Sequence, residues 1–301
     1  MTLIDHIHQA AQRFTQAGLS FGQGTQNAHD EAVWLVLFAA DLPLDTDLLA
    51  PEFTQSPLNT QPSAQVQERI RALIAQRIDT RQPAAYLTRE AWLQGVPFYV
   101  DERCIIPRSL IAEIIADGSA DAWIAPEAQT ALDLCTGNGS LAVLAAMAWP
   151  DLQLVASDLS QDALAVARIN IERHQLQQRI TLQQGSGLAP CLERGQKFDL
   201  VLCNPPYVNA HSMHALPPEF LAEPDLALAG GSDGMDFIRP LLAQLPQVLS
   251  ADGVLILEIG HERPYFEAAF PHLAPIWLET SAGSDQVLLL TRDLLLPTTS
   301  S

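Results

Sequence analysis

Thr130-Ala131-Leu132-Asp133-Leu134-Cys135-Thr136-Gly137-Asn138-Gly139-Ser140-Leu141-Ala142-Val143-Leu144 is the stretch that decides the fold. Thr130 to Leu134 is a short apolar run and reads as a buried strand. The turn Thr136 to Ser140 follows, and an apolar helix from Leu141 to Ala148 starts at once. Gly137 and Gly139 leave the backbone bare, so a ligand can approach it closely. With Ala142 in third place the run fits G-x-G-x-x-A, the turn that opens the helix of a nucleotide-binding unit. Asp158 closes the next strand about 20 residues on, the place from which a carboxylate binds both hydroxyls of a ribose. The two features point to an adenosine-containing cofactor; the bland alternative is a tight turn and a surface Asp.

Outward from this stretch, strand and helix keep alternating. Leu152 to Ala156, Ile180 to Gln183, Phe198 to Cys203 and Gly253 to Ile259 read as strands. Helices are expected from Ala163 to His174 and over 234–249, the latter in spite of bends at Pro240 and Pro246. Ile276 to Glu279 and Val287 to Thr291 look like a closing hairpin. Such alternation gives an α/β fold with a parallel, doubly wound sheet. Residues 1–82 read instead as a small helical domain. Ile4, Ile7, Ala11 and Phe14 recur at helical spacing, Asn27 to Leu42 forms a second helix, and Ser63 caps a third carrying Val66, Ile70, Leu73, Ile74 and Ile78. Residues 50–62 look like a loop and Pro297 to Ser301 like a disordered tail. Residues 83–107 are β-rich (Trp92, Val96, Phe98, Val100, Ile105, Ile106) and read as a hairpin linking the helical domain to a catalytic domain over 108–301, whose first helix opens at Pro107-Arg108-Ser109.

The strand Phe198 to Cys203 ends in Asn204-Pro205-Pro206-Tyr207. Two prolines cannot continue a sheet, since each lacks an N–H and has a fixed φ. Asn204, preceding a proline, is pushed toward an extended conformation. The result is a stiff loop at the carboxyl end of a strand, where open α/β sheets bind ligands. The Asn204 side-chain oxygen and the Pro205 carbonyl form a pair of acceptors for both hydrogens of a planar –NH2 group, and Tyr207 offers a flat face. An ordinary Pro-Pro turn with a half-buried Tyr is the competing reading.

Composition narrows the class. The chain has 301 residues, is 48% hydrophobic and carries a net charge of −19. Residues 101–301 hold 10 Lys and Arg against 25 Asp and Glu, and Lys197 is the one lysine of the chain. Such a surface repels nucleic-acid phosphate and attracts a basic protein. No apolar run approaches the ~18 residues of a membrane span. No signal peptide is evident at Met1-Thr2-Leu3-Ile4, so a cytoplasmic protein is expected. Cys104, Cys135, Cys191 and Cys203 form no C-x-x-C pair and no His cluster stands at metal spacing, so free thiols and no metal are expected.

NAD and S-adenosylmethionine both fit the glycine-rich turn and Asp158. The Asn-Pro-Pro-Tyr loop separates them: an amine-binding loop facing the cofactor suits an electrophilic methyl donor, and no acid or base for hydride chemistry is apparent. Asp133 to Gly139 followed by Asn204-Pro205-Pro206-Tyr207 resembles the class I S-adenosylmethionine-dependent methyltransferases acting on planar amides or amines. Phe98-Tyr99-Val100 and Ile106-Pro107-Arg108 narrow the resemblance to the bacterial protein-(glutamine-N5) methyltransferases. Phe21 to Ala32 and Pro83 to Arg103 are similar to the members that modify large-subunit ribosomal protein L-three rather than a release factor.

That resemblance implies a seven-stranded Rossmann-like sheet with its last strand antiparallel, a helical N-terminal domain that recognises the substrate protein, and S-adenosyl-L-methionine as cofactor. It implies cofactor binding by Asp133, Thr136, Gly137, Asn138, Gly139, Ser140, Asp158, Ser186, Gly187 and Asn204. It implies a glutamine-amide site made by Asn204, Pro205, Pro206 and Tyr207, with Asn204, Pro205 and Tyr207 catalytic. The partner would be the basic ribosomal protein, without direct nucleic-acid binding and without a membrane. Glu223-Pro224 and Glu258-x-Gly260 also resemble family segments and are read as structural. Three positions depart from the pattern: Asn138 replaces a small hydroxyl residue or Thr, Leu110 a Pro, and Ser186 the Asp that meets the adenine amino group. Release-factor methylation, adenine methylation of nucleic acid and a non-catalytic ribosomal assembly role are the competing functions; the net charge speaks against the second and the intact Asn204-Pro205-Pro206-Tyr207 against the third.

Overall fold

The computed structural model describes residues 1–44, 46 and 59–296. Residues 50–58 of the expected loop and the tail 297–301 lie outside the described residues. The chain divides into two compact units, one of Met1–Ala91 with Leu216–Ala222 and one of Trp92–Ala215 with Glu223–Ser301.

The first unit is helical. α1 (Leu3–Gln16) starts at a capping box in which the Thr2 hydroxyl accepts from the Asp5 N–H and the Asp5 carboxylate accepts from the Thr2 N–H. Its buried stripe is Leu3, Ile7, Ala10 and Phe14, so the face is turned slightly from the expected one through Ile4 and Ala11. α2 (Ala28–Ala39), capped by Asn27, is buried on most sides and forms the unit's centre. It stops short of Leu42. α3 (Ala64–Thr80) is capped by Ser63, whose hydroxyl accepts from the Val66 N–H at 3.3 Å. A short helix α4 (Ala84–Thr88) follows Pro83; at five residues it is too brief to show periodicity in the sequence.

Arg77 on α3 is the surprise of this unit. It is 1% exposed, and its Nε lies 2.7 Å from the Glu31 carboxylate on α2. Its Nη1 lies 3.7 Å from Glu219, itself fully buried, and its Nη2 donates to the Ser20 carbonyl. A buried charge needs such partners.

β1 (Glu90–Leu93) and β2 (Val96–Tyr99) form a hairpin around Gln94-Gly95, both with positive φ (50° and 74°), as a two-residue turn of matching twist requires. Ile105 and Ile106, β-type by composition, lie in an irregular loop. The reason is local: the Ile106 N–H is given to the Glu223 carboxylate rather than to a strand.

The second unit contains α5 (Ile111–Asp117), β3 (Thr130–Leu134), α6 (Ser140–Ala148), β4 (Gln153–Asp158), α7 (Gln161–Arg173), β5 (Ile180–Gln184), α8 (Ala189–Glu193), β6 (Phe198–Cys203), α9 (Ala210–Ala215), α10 (Ile238–Gln244), β7 (Leu249–Glu258), α11 (Arg263–Ala269), β8 (Ile276–Thr280), β9 (Gly283–Thr291) and α12 (Arg292–Leu295). The strands build one seven-stranded sheet in the order β5-β4-β3-β6-β7-β9-β8. Neighbours from β5 to β7 are parallel, and β9 runs antiparallel to both β7 and β8. Side chains alternate between two cores: Ala131, Leu200, Leu202, Val254 and Ile256 on one face, Leu132, Leu134, Val201, Leu255 and Leu257 on the other. This period of two, with both faces covered, is why the strands read as continuous apolar runs.

Two helix boundaries differ from expectation. The helix expected over 234–249 spans only Ile238–Gln244 and gives way to a 3-10 turn at Leu245–Gln247. Pro240 is tolerated in the first turn, whereas Pro246 has no N–H and ends the helix. α5 begins at Ile111 rather than at Pro107. Among the described residues no helix is long and apolar enough to cross a membrane.

The strand order reverses between β3 and β6: the chain winds to one side through β4 and β5 and returns to the other. Such a switch point opens a crevice beyond the carboxyl ends of the two strands. The register pairs Leu134 with Cys203, so the glycine-rich turn and Asn204 leave the sheet side by side.

Candidate active site

The glycine-rich turn is held from beneath. Asp133, the penultimate residue of β3, is fully buried. Its Oδ2 accepts from the Thr136 hydroxyl at 2.5 Å and the Ala142 N–H at 3.0 Å. Burial pushes its pKa up to about 7. Asp133 therefore sits under the turn as its post and does not open into the crevice. Gly139 has φ 81°, and a Cβ there would lie 3.1 Å from the Ala167 Cβ; the side chain is absent so that α6 can pack on α7. Gly137 (φ 55°) gives its N–H to Asp158 Oδ2 at 2.9 Å, while Asp158 Oδ1 accepts from the Ser160 N–H at 2.8 Å. Each carboxylate oxygen has a second acceptor position left. Burial raises the Asp158 pKa, and the Ser160 and Gly137 N–H groups pull it back.

Asn138 is 2% exposed and its Nδ2 finds no protein acceptor. Its Oδ1 accepts from the Ser140 N–H, and its carbonyl accepts from Asn170 Nδ2 at 2.8 Å. Asn170 also pairs with both backbone groups of Tyr99, at 2.7 and 2.9 Å, and so ties β2 to the turn. Beyond β5, the Gly185 N–H reaches the Asp158 carbonyl, which brings the turn Ser186-Gly187 alongside the end of β4. Ser186 is exposed, and nothing lies within 4 Å of the place where a Gly187 Cβ would be.

Asn204 leaves β6 partly exposed, Pro205 is buried, and Pro206 and Tyr207 are partly exposed. Among the described residues no protein donor engages the Asn204 carboxamide or the Pro205 carbonyl. Tyr207 is gripped. Its hydroxyl donates to Glu258 Oε1 at 3.0 Å. A Cβ at Gly260 would fall 2.5 Å from its ring, and one at Gly230 2.6 Å from its backbone. Burial, with the Glu258 carboxylate beside it, holds the phenol well above its ordinary pKa. Glu258 Oε2 accepts from the Ser109 hydroxyl at 2.6 Å and the Leu110 N–H at 2.8 Å. Glu223 fixes the preceding loop through a two-pronged pair with Arg108, at 2.6 and 2.7 Å.

With this geometry in view, the relatives are informative. The ribosomal protein uL3 glutamine methyltransferase of Bordetella pertussis is 52% identical over 296 residues, covering 98% of this chain and 96% of the relative. That of Burkholderia pseudomallei is 48% identical, covering 96% and 94%. The chain belongs to this methyltransferase family. The model of the methyltransferase small domain matches residues 121–234, from just before β3 to beyond the Asn204–Tyr207 loop. The catalytic domain of hMettl16, solved in complex with the MAT2A 3'UTR hairpin 6, superposes with a TM-score of 0.51 at 14% identity, covering 80% of this chain and 88% of that one; the likeness is one of fold.

In this methyltransferase the expected site residues gather at the carboxyl edge of β3, β4, β5 and β6. Asn170 and Glu258 stand beside these residues, the first absent from the expected set and the second expected only as structural. A signal was present for each. Asn170 falls on the buried stripe of α7 with Ala163, Leu164, Val166, Ala167 and Ile171, a polar residue on an apolar face. Glu258 ends the apolar run of β7 and is 3% exposed.

Proposed function

We propose that the chain transfers a methyl group from S-adenosyl-L-methionine to the side-chain amide nitrogen of a glutamine in ribosomal protein uL3. The observation that carries this reading is the pair of unengaged oxygens, Asn204 Oδ1 and the Pro205 carbonyl, presented beside the glycine-rich turn. The names of the relatives supply the substrate.

The residues beyond β3, β4 and β5 fit the cofactor. Gly137 and Gly187 leave backbone uncovered, Asp158 keeps acceptor positions for a ribose, and the Asn138 Nδ2 is a buried donor without a partner. Thr136 to Ser140, Asp158, Ser186 and Gly187 would hold it, with Asp133 supporting the turn. Bound there, S-adenosyl-L-methionine supplies a methyl group on a sulfonium sulfur.

An amide nitrogen is a poor nucleophile because its lone pair is shared with the carbonyl. Asn204 and Pro205, by accepting both N–H bonds, return electron density to the nitrogen and fix the direction of its lone pair. Tyr207 supplies the flat wall. Glu258 takes three protein donors and is not arranged as a base, so the chain acts by orientation. Orientation of this kind supplies up to roughly 7–11 kcal/mol in favourable cases. The helical unit would recognise the substrate protein, and a ribosomal-protein substrate would fit work in the cytoplasm.

The test is mass spectrometry of uL3 and of release factor after incubation with labelled cofactor, using wild type and Asn204→Ala. Labelling at a uL3 glutamine by wild type alone, with cofactor affinity kept in the variant, is the expected result. Modification of release factor alone, or substantial turnover by Asn204→Ala, would overturn the reading.

A further inference from the structure

The amide-binding loop has two kinds of wall. Asn204 and the prolines are fixed by their own backbone. Tyr207 is different: its usefulness depends on where its ring lies, and a tyrosine side chain has two torsions to settle. Gly260 makes room for the ring and Gly230 for the backbone that carries it, and room alone leaves those torsions free. What fixes them is the phenol oxygen, tethered to Glu258 at the end of the neighbouring strand β7.

We propose that Glu258 is a positioning residue for methyl transfer, which holds the Tyr207 ring in the plane against which the substrate amide lies. The inference rests on the reading of Asn204 to Tyr207 as an amide site. Glu258 suits this work because it is itself over-determined. Its far oxygen takes the Ser109 hydroxyl and the Leu110 N–H, both at the entry to α5, and its near oxygen takes Tyr207. Three donors converge on one buried carboxylate, and a carboxylate is acceptor-only when ionised. The tether therefore joins the substrate wall to the sheet and to α5 at once, without touching the substrate.

The arrangement also separates a tether from a charge. In Glu258→Gln the amide oxygen can still accept from the Leu110 N–H. The amide NH2 can then donate to the Tyr207 oxygen, since a phenol both donates and accepts. A ring held by geometry survives that exchange; an effect of the negative charge does not.

The experiment compares wild type with Glu258→Ala, Glu258→Gln, Tyr207→Phe and Glu258→Ala/Tyr207→Phe. Turnover is measured on uL3, cofactor affinity by calorimetry, and the state of the ring by NMR with carbon-labelled tyrosine. The chain has 4 tyrosines, and the Tyr207 signals are those missing in Tyr207→Phe. Glu258→Ala is expected to lower kcat about 100-fold, the scale of a misplacement near 1 Å, with the cofactor Kd unchanged within about twofold. Tyr207→Phe loses the same factor, the double variant loses no more than either single one, and Glu258→Gln restores most of the rate. The Tyr207 signals shift or broaden in Glu258→Ala and return in Glu258→Gln. Full turnover by Tyr207→Phe, equal losses in Glu258→Gln and Glu258→Ala, or Tyr207 signals indifferent to Glu258 would overturn the proposal. Should wild type leave uL3 unmodified, the functional reading fails by itself, and the NMR comparison still decides whether Glu258 holds the ring.

Discussion

Replacing Asp133 with Asn should flatten the pH dependence of stability. The carboxylate lies wholly within the protein, with one oxygen taken by Thr136 and Ala142 and the other without a partner. Burial is the main cause that lifts its pKa from 3.8 to about 7, the two hydrogen bonds oppose it, and the charge of Asp158 adds to it. The folded value stands above the unfolded one, so the native state holds the proton more tightly. The resulting stability is fully present below about pH 4 and is lost as pH rises through about 7. At ~1.36 kcal/mol for each pH unit the whole contribution is roughly 4 kcal/mol, of which a little over half disappears between about pH 5 and about pH 8. In Asp133→Asn the amide oxygen can keep the Thr136 and Ala142 donors, and no charge remains to be buried. Urea unfolding of both proteins at several pH values isolates the effect, because raised groups away from Asp133, such as Glu258, cancel in the difference. The variant should gain on wild type by roughly 2–3 kcal/mol over that range. A difference that stays constant within about 0.5 kcal/mol would refute the reasoning, since it would mean that burial of this carboxylate is not felt.

Arg77→Met should destabilise the helical unit by roughly 3–5 kcal/mol, because Glu31 then remains buried without its cation and Glu219 keeps only Arg81; a loss under about 1 kcal/mol in chemical denaturation would show that the cluster is dispensable. Ser186→Asp should lower the Kd for S-adenosylmethionine severalfold, because a charge-assisted hydrogen bond is roughly twice as strong as a neutral one. An unchanged or higher Kd in calorimetry would remove Ser186 from the cofactor site. With a net charge of −19 the chain should be steered toward a basic substrate. Rates on intact uL3 should then fall with added salt, whereas rates on a short neutral glutamine peptide should not, and equal salt dependence would count against steering.

What was legible in the sequence is what backbone constraint dictates. Gly137, Gly139 and the Pro205-Pro206 pair announce themselves because glycine takes positive φ without strain and proline cannot continue a strand, and the sheet because strands buried on both faces leave unbroken apolar runs. The helix after Met235 is shorter than its spacing suggests because hydrophobic spacing carries on through Pro246, whose missing N–H ends the helix. The segment Leu216–Ala222 was not legible at all. It groups with Met1–Ala91 while its flanks group with the other unit. Its anchor, Glu219, meets Arg77 and Ser20 at sequence separations that no local pattern records. The buried acids show the same limit more sharply. Asp133 and Glu258 each stand at the end of an apolar strand, next to a motif, and motif spacing alone treats such acids as ligand contacts or as scaffold. Which they are depends on the donors that surround them. Asp133 takes its donors from the turn that follows it, and Glu258 from residues about 50 and 150 positions away. A buried carboxylate whose hydrogen bonds all come from protein donors serves by holding other groups in place, and that inventory exists only once the chain has folded.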